Sequence, residues 1–528
     1  MKRHLLVIRF SSLGDVVLTS ATVLNLKLLY PDSRLVFLTK AAYQPIVKLF
    51  GCVDEIVTLP QPCGGRDYFN FLLDLDERQF DTVIDLHGSI RSWLARKIVT
   101  AGAKTVYPKR RWERLQIVRK HHLLLVWPHT IDLYNDCVEQ LGGIALCRRP
   151  VINAPGTTTS PPNKLSATSD PGRQVVIAPG AAHPNKQWLL ERFAEVATTL
   201  HRSHGVAIIW AITAADRGKV SLAERIDPRH FVELVDCPIT DLAAVLEKAD
   251  LTIANDSGVA HLSSAVGTPV LSLFGPTHPA LGFAPRGLFD RVVEVEESCR
   301  PCSLHGKKPC YRSERFCFTR ISPEMVSEMA GELLDVAVNS ARALFVDRDG
   351  TIIVEKEFLA DPDEIEFESG AIDALRKAQA MGFKLVILSN QSGVARGRFG
   401  LDTVERVNER LLSMLAAAGV EIAGLYYCPH YAGGVVEEFA TRCRCRKPAP
   451  AMAEEAARQL GINLRRSYVI GDKADDVNLG RVIGARAFLV ETGHGRNQEP
   501  LLSTGSERVT VCDNLAAAVE RIRKLERQ

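Results

Sequence analysis

The sequence predicts an α/β protein of parallel sheets: two Rossmann-like halves followed by a third Rossmann-like unit. Three observations carry that reading. Apolar strand-like runs alternate with helical stretches along the chain, the pattern of βαβ crossovers. Residues 154–173, APGTTTSPPNKLSATSDPGR, are rich in Pro, Ser, Thr and Gly and lack apolar periodicity, so they read as a linker. A fresh strand, ALFVD, opens at residue 343 directly behind a helical stretch. A chain of 528 residues exceeds two domains of ordinary size, and the expected units are 1–155, 174–340 and 343–528.

The elements follow in order. LLVIRF (5–10) is the first strand, because Ser-Ser-Leu-Gly-Asp interrupts the apolar stretch too early for a secretion signal. A helix follows from about Asp15, then strands RLVFLTK (34–40) and TVIDLHG, ending at Gly88. The second half supplies QVVIAPG (174–180), VAIIWAIT (206–213), LTIAND (251–256) and a strand ending at Gly275. Pro323 opens a helix running to about Ala341. The third unit adds KLVILSN (384–390), GLYYCPH (424–430) and SYVIGD (467–472).

Composition excludes little but bounds the class. The chain is 46% hydrophobic and 24% charged, as soluble globular proteins are. A net charge of +3 sets no global preference for nucleic acid, and no apolar run is long enough to span a bilayer. Of the 13 cysteines, seven fall in two groups, 299–317 and 428–445. Short metal-like spacings without a secretion signal point to reduced thiols in the cytoplasm.

The third unit carries four polar motifs at strand ends, where open α/β sheets bind ligands. Asp347-Arg-Asp349-Gly-Thr351 places two carboxylates on one side of a strand end. Ser389-Asn390-Gln391 offers hydroxyl and amide groups, and Arg446-Lys447-Pro448 offers fixed positive charge. Gly471-Asp472-Lys473, followed by Asp475 and Asp476, offers hard oxygen ligands suited to Mg²⁺. Together they suit phosphoryl transfer: one carboxylate attacks phosphorus and the other moves the proton. Cys428-Pro-His430 and Cys443-Arg-Cys445 have the spacing of a closed, structural Zn²⁺ site.

On these motifs the third unit resembles the haloacid dehalogenase superfamily. The run CPHYAGGVVEEFATRCRCRKP, with SNQSGVARGRF before it and GDKADD after it, resembles the D-glycero-D-manno-heptose 1,7-bisphosphate 7-phosphatases. The resemblance implies hydrolysis of the C7 phosphate of heptose 1,7-bisphosphate through an aspartyl-phosphate. Asp347 is then the nucleophile and Asp349 the general acid/base, with Mg²⁺ held by Asp347, the Asp349 backbone carbonyl and Asp472. Thr351, Ser389, Asn390, Arg446 and Lys447 then contact the phosphate or sugar. Related histidinol phosphatases share the zinc-loop pattern, so histidinol phosphate is the alternative substrate.

The first two halves carry their own set. Ser12, Gly14 and Asp15 sit between the first strand and its helix, where backbone N–H groups bind anions. From spacing alone Asp15 is equally a helix cap or a base. Asp256, Ser257, Gly258 and His261 open a helix after LTIAN, and Lys186 follows another strand end. SSLGD, DLHGSIRS, PGAAHPNKQW, NDSGVAH and LFGPTHP together resemble the ADP-heptose:lipopolysaccharide heptosyltransferases, a family with the GT-B fold. That implies inverting transfer from ADP-heptose to the lipopolysaccharide inner core (lipid A–Kdo). Asp15 then deprotonates the acceptor, while Lys186, Ser257, Gly258 and His261 hold the donor.

Lys109-Arg-Arg-Trp-Glu-Arg114, continuing to His122, is strongly basic. It reads either as a solvated helix face or as contact with an anionic glycolipid at the cytoplasmic face of the inner membrane. No nucleic-acid motif accompanies it. Cys299, Cys302, Cys310 and Cys317 form a second candidate metal set with less regular spacing. The expectation is a bifunctional enzyme of lipopolysaccharide heptose metabolism. Its alternative is a phosphatase carrying a non-catalytic docking module.

Overall fold

The computed structural model describes residues 3–61, 64–120, 127–153, 172–214, 231–339, 341–498 and 509–527. Most of the expected linker, and His121 and His122 of the basic run, lie outside them. The chain divides into two compact units, Met1–Val338 and Asn339–Gln528.

The first unit holds two parallel sheets. One comprises β1 (His4–Ile8), β2 (Arg34–Thr39), β3 (Glu55–Thr58), β4 (Thr82–Asp85) and β5 (Ala103–Val106), in the order β3-β2-β1-β4-β5. The other comprises β6 (Gln174–Ala178), β7 (Ala207–Ile212), β8 (Phe231–Val235), β9 (Leu251–Asn255), β10 (Val270–Leu273) and β11 (Arg291–Val293), in the order β11-β10-β9-β6-β7-β8. The second unit has one parallel sheet of β12 (Ala343–Val346), β13 (Lys384–Asn390), β14 (Ile422–Cys428), β15 (Tyr468–Gly471), β16 (Arg486–Val490) and β17 (Val509–Cys512). Its order is β14-β13-β12-β15-β16-β17.

The central strands are continuous apolar runs because helices cover both faces: β9, β12 and β15 are buried along their whole length. Each sheet reverses its strand order beside its first strand, between β1 and β4, β6 and β9, and β12 and β15. Crevices open at such switch points, and the motif residues that follow β1, β6, β9, β12 and β15 are delivered to them. Several expected strands end one or two residues early. Arg9, His87, Asp256 and Asp472 lie just beyond the strand ends, at the crevices.

The helix Leu13–Leu29 is buried over most of its length. It packs against Thr130–Gln140 and against Gly258–Val266 of the other half. Two glycines permit that approach. A Cβ at Gly14 would lie 2.6 Å from His261 Cδ2, and one at Gly258 would lie 2.8 Å from Leu13 Cδ2. A methyl at either place forces the helices apart, at a cost of about 1–3 kcal/mol.

Candidate functional sites

In the second unit, β12 ends at Val346 and delivers Asp347 and Asp349 into a turn at Gly350. Gly350 has φ +77°, and a Cβ there would also lie 2.5 Å from Asp472 Oδ2, so the turn needs glycine. Asp347 Oδ1 accepts from the Arg348 backbone N–H at 2.8 Å and pairs with Lys447 Nζ at 2.7 Å. Both contacts fall on Oδ1, which leaves Oδ2 for attack. Lys447 Nζ also pairs with Asp476 Oδ1 at 2.6 Å and donates to the Leu388 carbonyl at 2.6 Å. Burial alone would lower the Lys447 ammonium, but Asp347 and Asp476 hold it well above its ordinary value. Asn390 clamps the Lys447 backbone through both amide atoms.

Asp349 faces another way. Its carboxylate takes a fork from Arg348 Nε and Nη2, both at 3.1 Å, and accepts from Gln391 Nε2 at 2.9 Å. Ser389 Oγ lies 3.4 Å from it. Burial would raise this carboxyl, and the Arg348 guanidinium more than offsets that. Arg348 is itself buried and anchored on Asn408 Oδ1 at 2.7 Å. The buried carboxylates that converge are therefore Asp347, Asp472 and Asp476, with donor atoms within 4.8 Å of one another. The Asp349 side chain is not among them. Burial, with the Asp347 charge behind it, pushes Asp472 up to about 8, and burial pushes Asp476 up to about 7. Among the described residues, Asp472 Oδ1 and Thr351 Oγ1 are buried without a hydrogen-bond partner. Crowded hard oxygens, one of them with no hydrogen bond and only Lys473 Nζ at 3.9 Å, fit a divalent cation such as Mg²⁺.

At the mouth of this site Glu355 Oε2 accepts from Lys473 Nζ at 3.0 Å and lies 3.5 Å from His494 Nε2. Glu355 and His494 belong to none of the motifs that mark the site in the sequence, and Arg348 is there only the residue between Asp347 and Asp349.

Cys428, His430, Cys443 and Cys445 converge. Cys445 Sγ lies 3.1 Å from both other sulfurs, and His430 Nδ1 lies 3.3 Å from it. Three thiols and an imidazole at these separations suit a tetrahedral ion such as Zn²⁺. Arg446, next in the chain, donates its backbone N–H to Cys443 Sγ and stacks on Tyr431, so the cluster fixes the loop that carries Lys447. Cys299, Cys302, Cys310 and Cys317 do not form such a set among the described residues. Instead Cys299 Sγ accepts from Arg312, and Cys310 donates to the Glu314 carbonyl.

In the first unit a cavity of about 580 Å³ is lined by residues from both sheets. Asp15 Oδ2 pairs with Arg9 Nη2 at 2.8 Å and accepts from Ser12 Oγ at 2.8 Å and Ser12 N at 3.2 Å. Asp15 thus closes a helix capping box with Ser12 at the cap, yet all three donors crowd Oδ2 and leave Oδ1 open. Burial would raise its carboxyl, and Arg9 with Ser12 more than offsets that, holding it below the usual carboxylate range. Across the cavity Lys186 Nζ pairs with Asp256 Oδ2 at 2.6 Å, which also accepts from Thr277 Oγ1 at 2.7 Å. Ser257 Oγ and His261 Nδ1 are buried without hydrogen-bond partners among the described residues, and burial lowers the His261 imidazole below its ordinary value. Ser12, Gly14, Asp15, Lys186, Asp256, Ser257, Gly258 and His261 all line this one cavity.

Arg9 and Arg114 were not singled out from sequence as separate site residues. Arg114 lines the cavity, is 4% exposed, and has no carboxylate within ion-pair distance among the described residues. It donates to Thr130 Oγ1 and stacks on Phe283, and its Nε has no partner. A buried, uncompensated guanidinium at a cavity wall favours an anionic ligand.

Comparison with known proteins matches each of the two units to a family. Residues 69–310 match glycosyltransferase family 9 (heptosyltransferase), and residues 444–518 match an HAD-hydrolase-like family. The D-glycero-beta-D-manno-heptose-1,7-bisphosphate 7-phosphatase of Yersinia pestis is 42% identical over 156 residues, 29% of this chain and 82% of that protein. The D-glycero-alpha-D-manno-heptose-1,7-bisphosphate 7-phosphatase of Photorhabdus laumondii is 36% identical over 157 residues, 30% of this chain and 86% of that protein. The solved glycosyl transferase family 9 structure from Veillonella parvula shares the fold of the first part. It has a TM-score of 0.52 and 21% identity, and covers 63% of this chain and 97% of that one.

Proposed function

The chain belongs to the heptose-bisphosphate phosphatase family through its C-terminal part and carries a glycosyltransferase family 9 domain ahead of it. From that premise we propose that it hydrolyses the C7 phosphate of D-glycero-D-manno-heptose 1,7-bisphosphate and transfers heptose from ADP-heptose to the inner core of lipopolysaccharide. The observation that supports both halves is the same at each site. Donors occupy one oxygen of a buried carboxylate and leave the other free: Oδ2 of Asp347 and Oδ1 of Asp15.

In the phosphatase, Asp347 Oδ2 attacks phosphorus and the bond to the sugar oxygen breaks. Asp349 takes the acid/base role that the resemblance implies, for which it must leave the Arg348 fork that holds it ionised: as acid it protonates that oxygen, then as carboxylate it takes a proton from the water that cleaves the aspartyl-phosphate. Lys447 neutralises the phosphate and holds Asp347. Asp347, the Asp349 carbonyl and Asp472 hold Mg²⁺, which supplies charge compensation for the phosphate. Cys428, His430, Cys443 and Cys445 hold a structural Zn²⁺.

In the transferase, Asp15 Oδ1 takes the proton of the acceptor hydroxyl as that oxygen bonds to the anomeric carbon. The bond from that carbon to the diphosphate oxygen breaks, and ADP leaves with inversion. Lys186, Ser257 and His261 hold the diphosphate and sugar, with Lys186 leaving Asp256 for the incoming anion. Arg114 and Lys109 meet anionic groups of the acceptor.

Two incubations of the purified chain test this reading. With heptose 1,7-bisphosphate, phosphorus NMR should show loss of the C7 resonance, whereas faster turnover of histidinol phosphate would replace the substrate. With ADP-heptose and a heptose-free core lipid, ADP should appear. A chain that binds the lipid yet never releases ADP would make the first unit a docking module.

A further inference from the structure

The wall of the first cavity continues onto an outer surface whose large apolar side chains neither reaction uses. β4 and β5 are neighbours with Asp85 opposite Val106, so the loops that leave them emerge side by side. They touch: a Cβ at Gly88 would lie 3.3 Å from the Tyr107 ring, and Lys109 Nζ lies 3.5 Å from the His87 carbonyl. Just beyond, the helices Ile90–Ile98 and Arg111–Lys120 begin. Their first turns put three large apolar side chains into solvent: Ile90 is 85% exposed, Trp93 48% and Trp112 76%. Arg91, Lys109, Arg110 and Arg111 are exposed among them.

Charge sharpens the picture. No Asp or Glu occurs from residue 86 to residue 112, while Arg91, Arg96, Lys97, Lys104, Lys109, Arg110 and Arg111 all fall there. Scattered surface apolar residues need no explanation, but three large ones set in a basic rim, at whose edge Glu113 pairs with Arg110, do. Tryptophan and isoleucine flanked by Lys and Arg match the interfacial layer of an anionic bilayer: the apolar bodies enter it and the cations meet the headgroups. Nucleic acid fits less well, because an exposed isoleucine offers bases nothing to stack on. The same two loops turn His87, Tyr107, Lys109 and Arg111 into the cavity, so the rim lies at the cavity's edge.

We infer that the rim formed by the first turn of Ile90–Ile98 and the segment 109–112 docks on an anionic lipid bilayer, with Ile90, Trp93 and Trp112 entering the interface. The choice of lipid as partner rests on the reading of this half as a transferase for a lipid-borne acceptor. Docked this way, the open oxygen of Asp15 works at the membrane surface.

The test uses the full chain and vesicles, with no sugar substrate. Wild type should cosediment with vesicles containing phosphatidylglycerol, bind neutral phosphatidylcholine vesicles about tenfold or more weakly, and release at high salt. Brominated acyl chains should quench its tryptophan fluorescence, since Trp188 and Trp210 are buried and Trp93 and Trp112 are exposed. The combined variant Ile90→Ser, Trp93→Ser, Trp112→Ser should lose about tenfold or more of the vesicle affinity and most of the quenching, with an unchanged thermal unfolding profile as proof that the first unit is folded. Equal binding by that variant, or absence of wild-type binding to anionic vesicles, overturns the inference. So does tighter binding to duplex DNA without lipid quenching. A parallel ADP titration keeps the two readings apart. Retained ADP affinity with no vesicle binding removes the docking surface and leaves the transferase standing. Vesicle binding with no ADP affinity removes the transferase and leaves the surface.

Discussion

Lys447 Nζ stands 2.7 Å from Asp347 Oδ1 and 2.6 Å from Asp476 Oδ1, a buried ammonium bridging two buried carboxylates. It fixes the Asp347 carboxylate while contacting only one of its oxygens. Asp347→Asn keeps the shape and removes the nucleophile, so heptose-bisphosphate turnover should fall by about a thousandfold or more. Lys447→Met should cost about a hundredfold or more, because it also strands two buried carboxylates. Initial rates measure both, and Asp347→Asn activity within tenfold of wild type would refute the nucleophile.

Mg²⁺ binding to the second unit should weaken as pH falls. In the metal-free protein, burial and the Asp347 charge push Asp472 up to about 8, so at lower pH the cation must displace a proton. Calorimetric affinity should therefore drop by up to about tenfold per pH unit below that value. Equal affinity at mildly acidic and mildly alkaline pH would contradict it.

The transferase rate should persist to unusually low pH, because Arg9 and Ser12 hold the Asp15 carboxyl down against burial. A base must be deprotonated to act, so a lowered pKa moves the acid limb of the pH–rate profile downward. Arg9→Met leaves the burial and removes the opposing charge. Its acid limb should move up by about a unit or more, with ADP affinity unchanged. An unmoved limb would separate Arg9 from the base.

Arg114→Met should raise the KM for the acceptor by about tenfold and leave donor KM within about twofold, since the guanidinium faces the cavity without a carboxylate partner. Separate acceptor and donor titrations distinguish the two effects.

Metal analysis should find one Zn²⁺ per chain in the second unit. Cys443→Ala should lose it, loosen the loop of Arg446 and Lys447, and lower phosphatase activity about tenfold or more without changing transfer. Zinc retained by that variant would remove the assignment.

Local motifs were legible because a strand end and its turn fix where their side chains go. Asp347, Asp472, Lys447 and the 428–445 cluster depend on spacings of a few residues. The central strands were legible as apolar runs. β3, β5, β8, β11, β16 and β17 were not among the expected strands, and all but β16 either edge a sheet or lie next to solvent with charged or half-exposed residues. Partners brought together by the sheet order were not legible. Arg348 reads as a spacer between two aspartates, yet it turns Asp349 away from the carboxylate cluster. Arg9 reads as the tail of a strand, yet it determines which oxygen of Asp15 is open. The 299–317 cysteines show the converse, since among the described residues suggestive spacing there brings no donor set as close together as the 428–445 group.

The most direct test of two independent active sites in one chain assays Asp15→Ala and Asp347→Asn in both reactions. Asp15→Ala should abolish heptosyl transfer and leave phosphate release from heptose 1,7-bisphosphate at the wild-type rate, and Asp347→Asn should do the reverse. Loss of both activities in either variant, or wild-type protein inactive in one of the two reactions, would contradict the account.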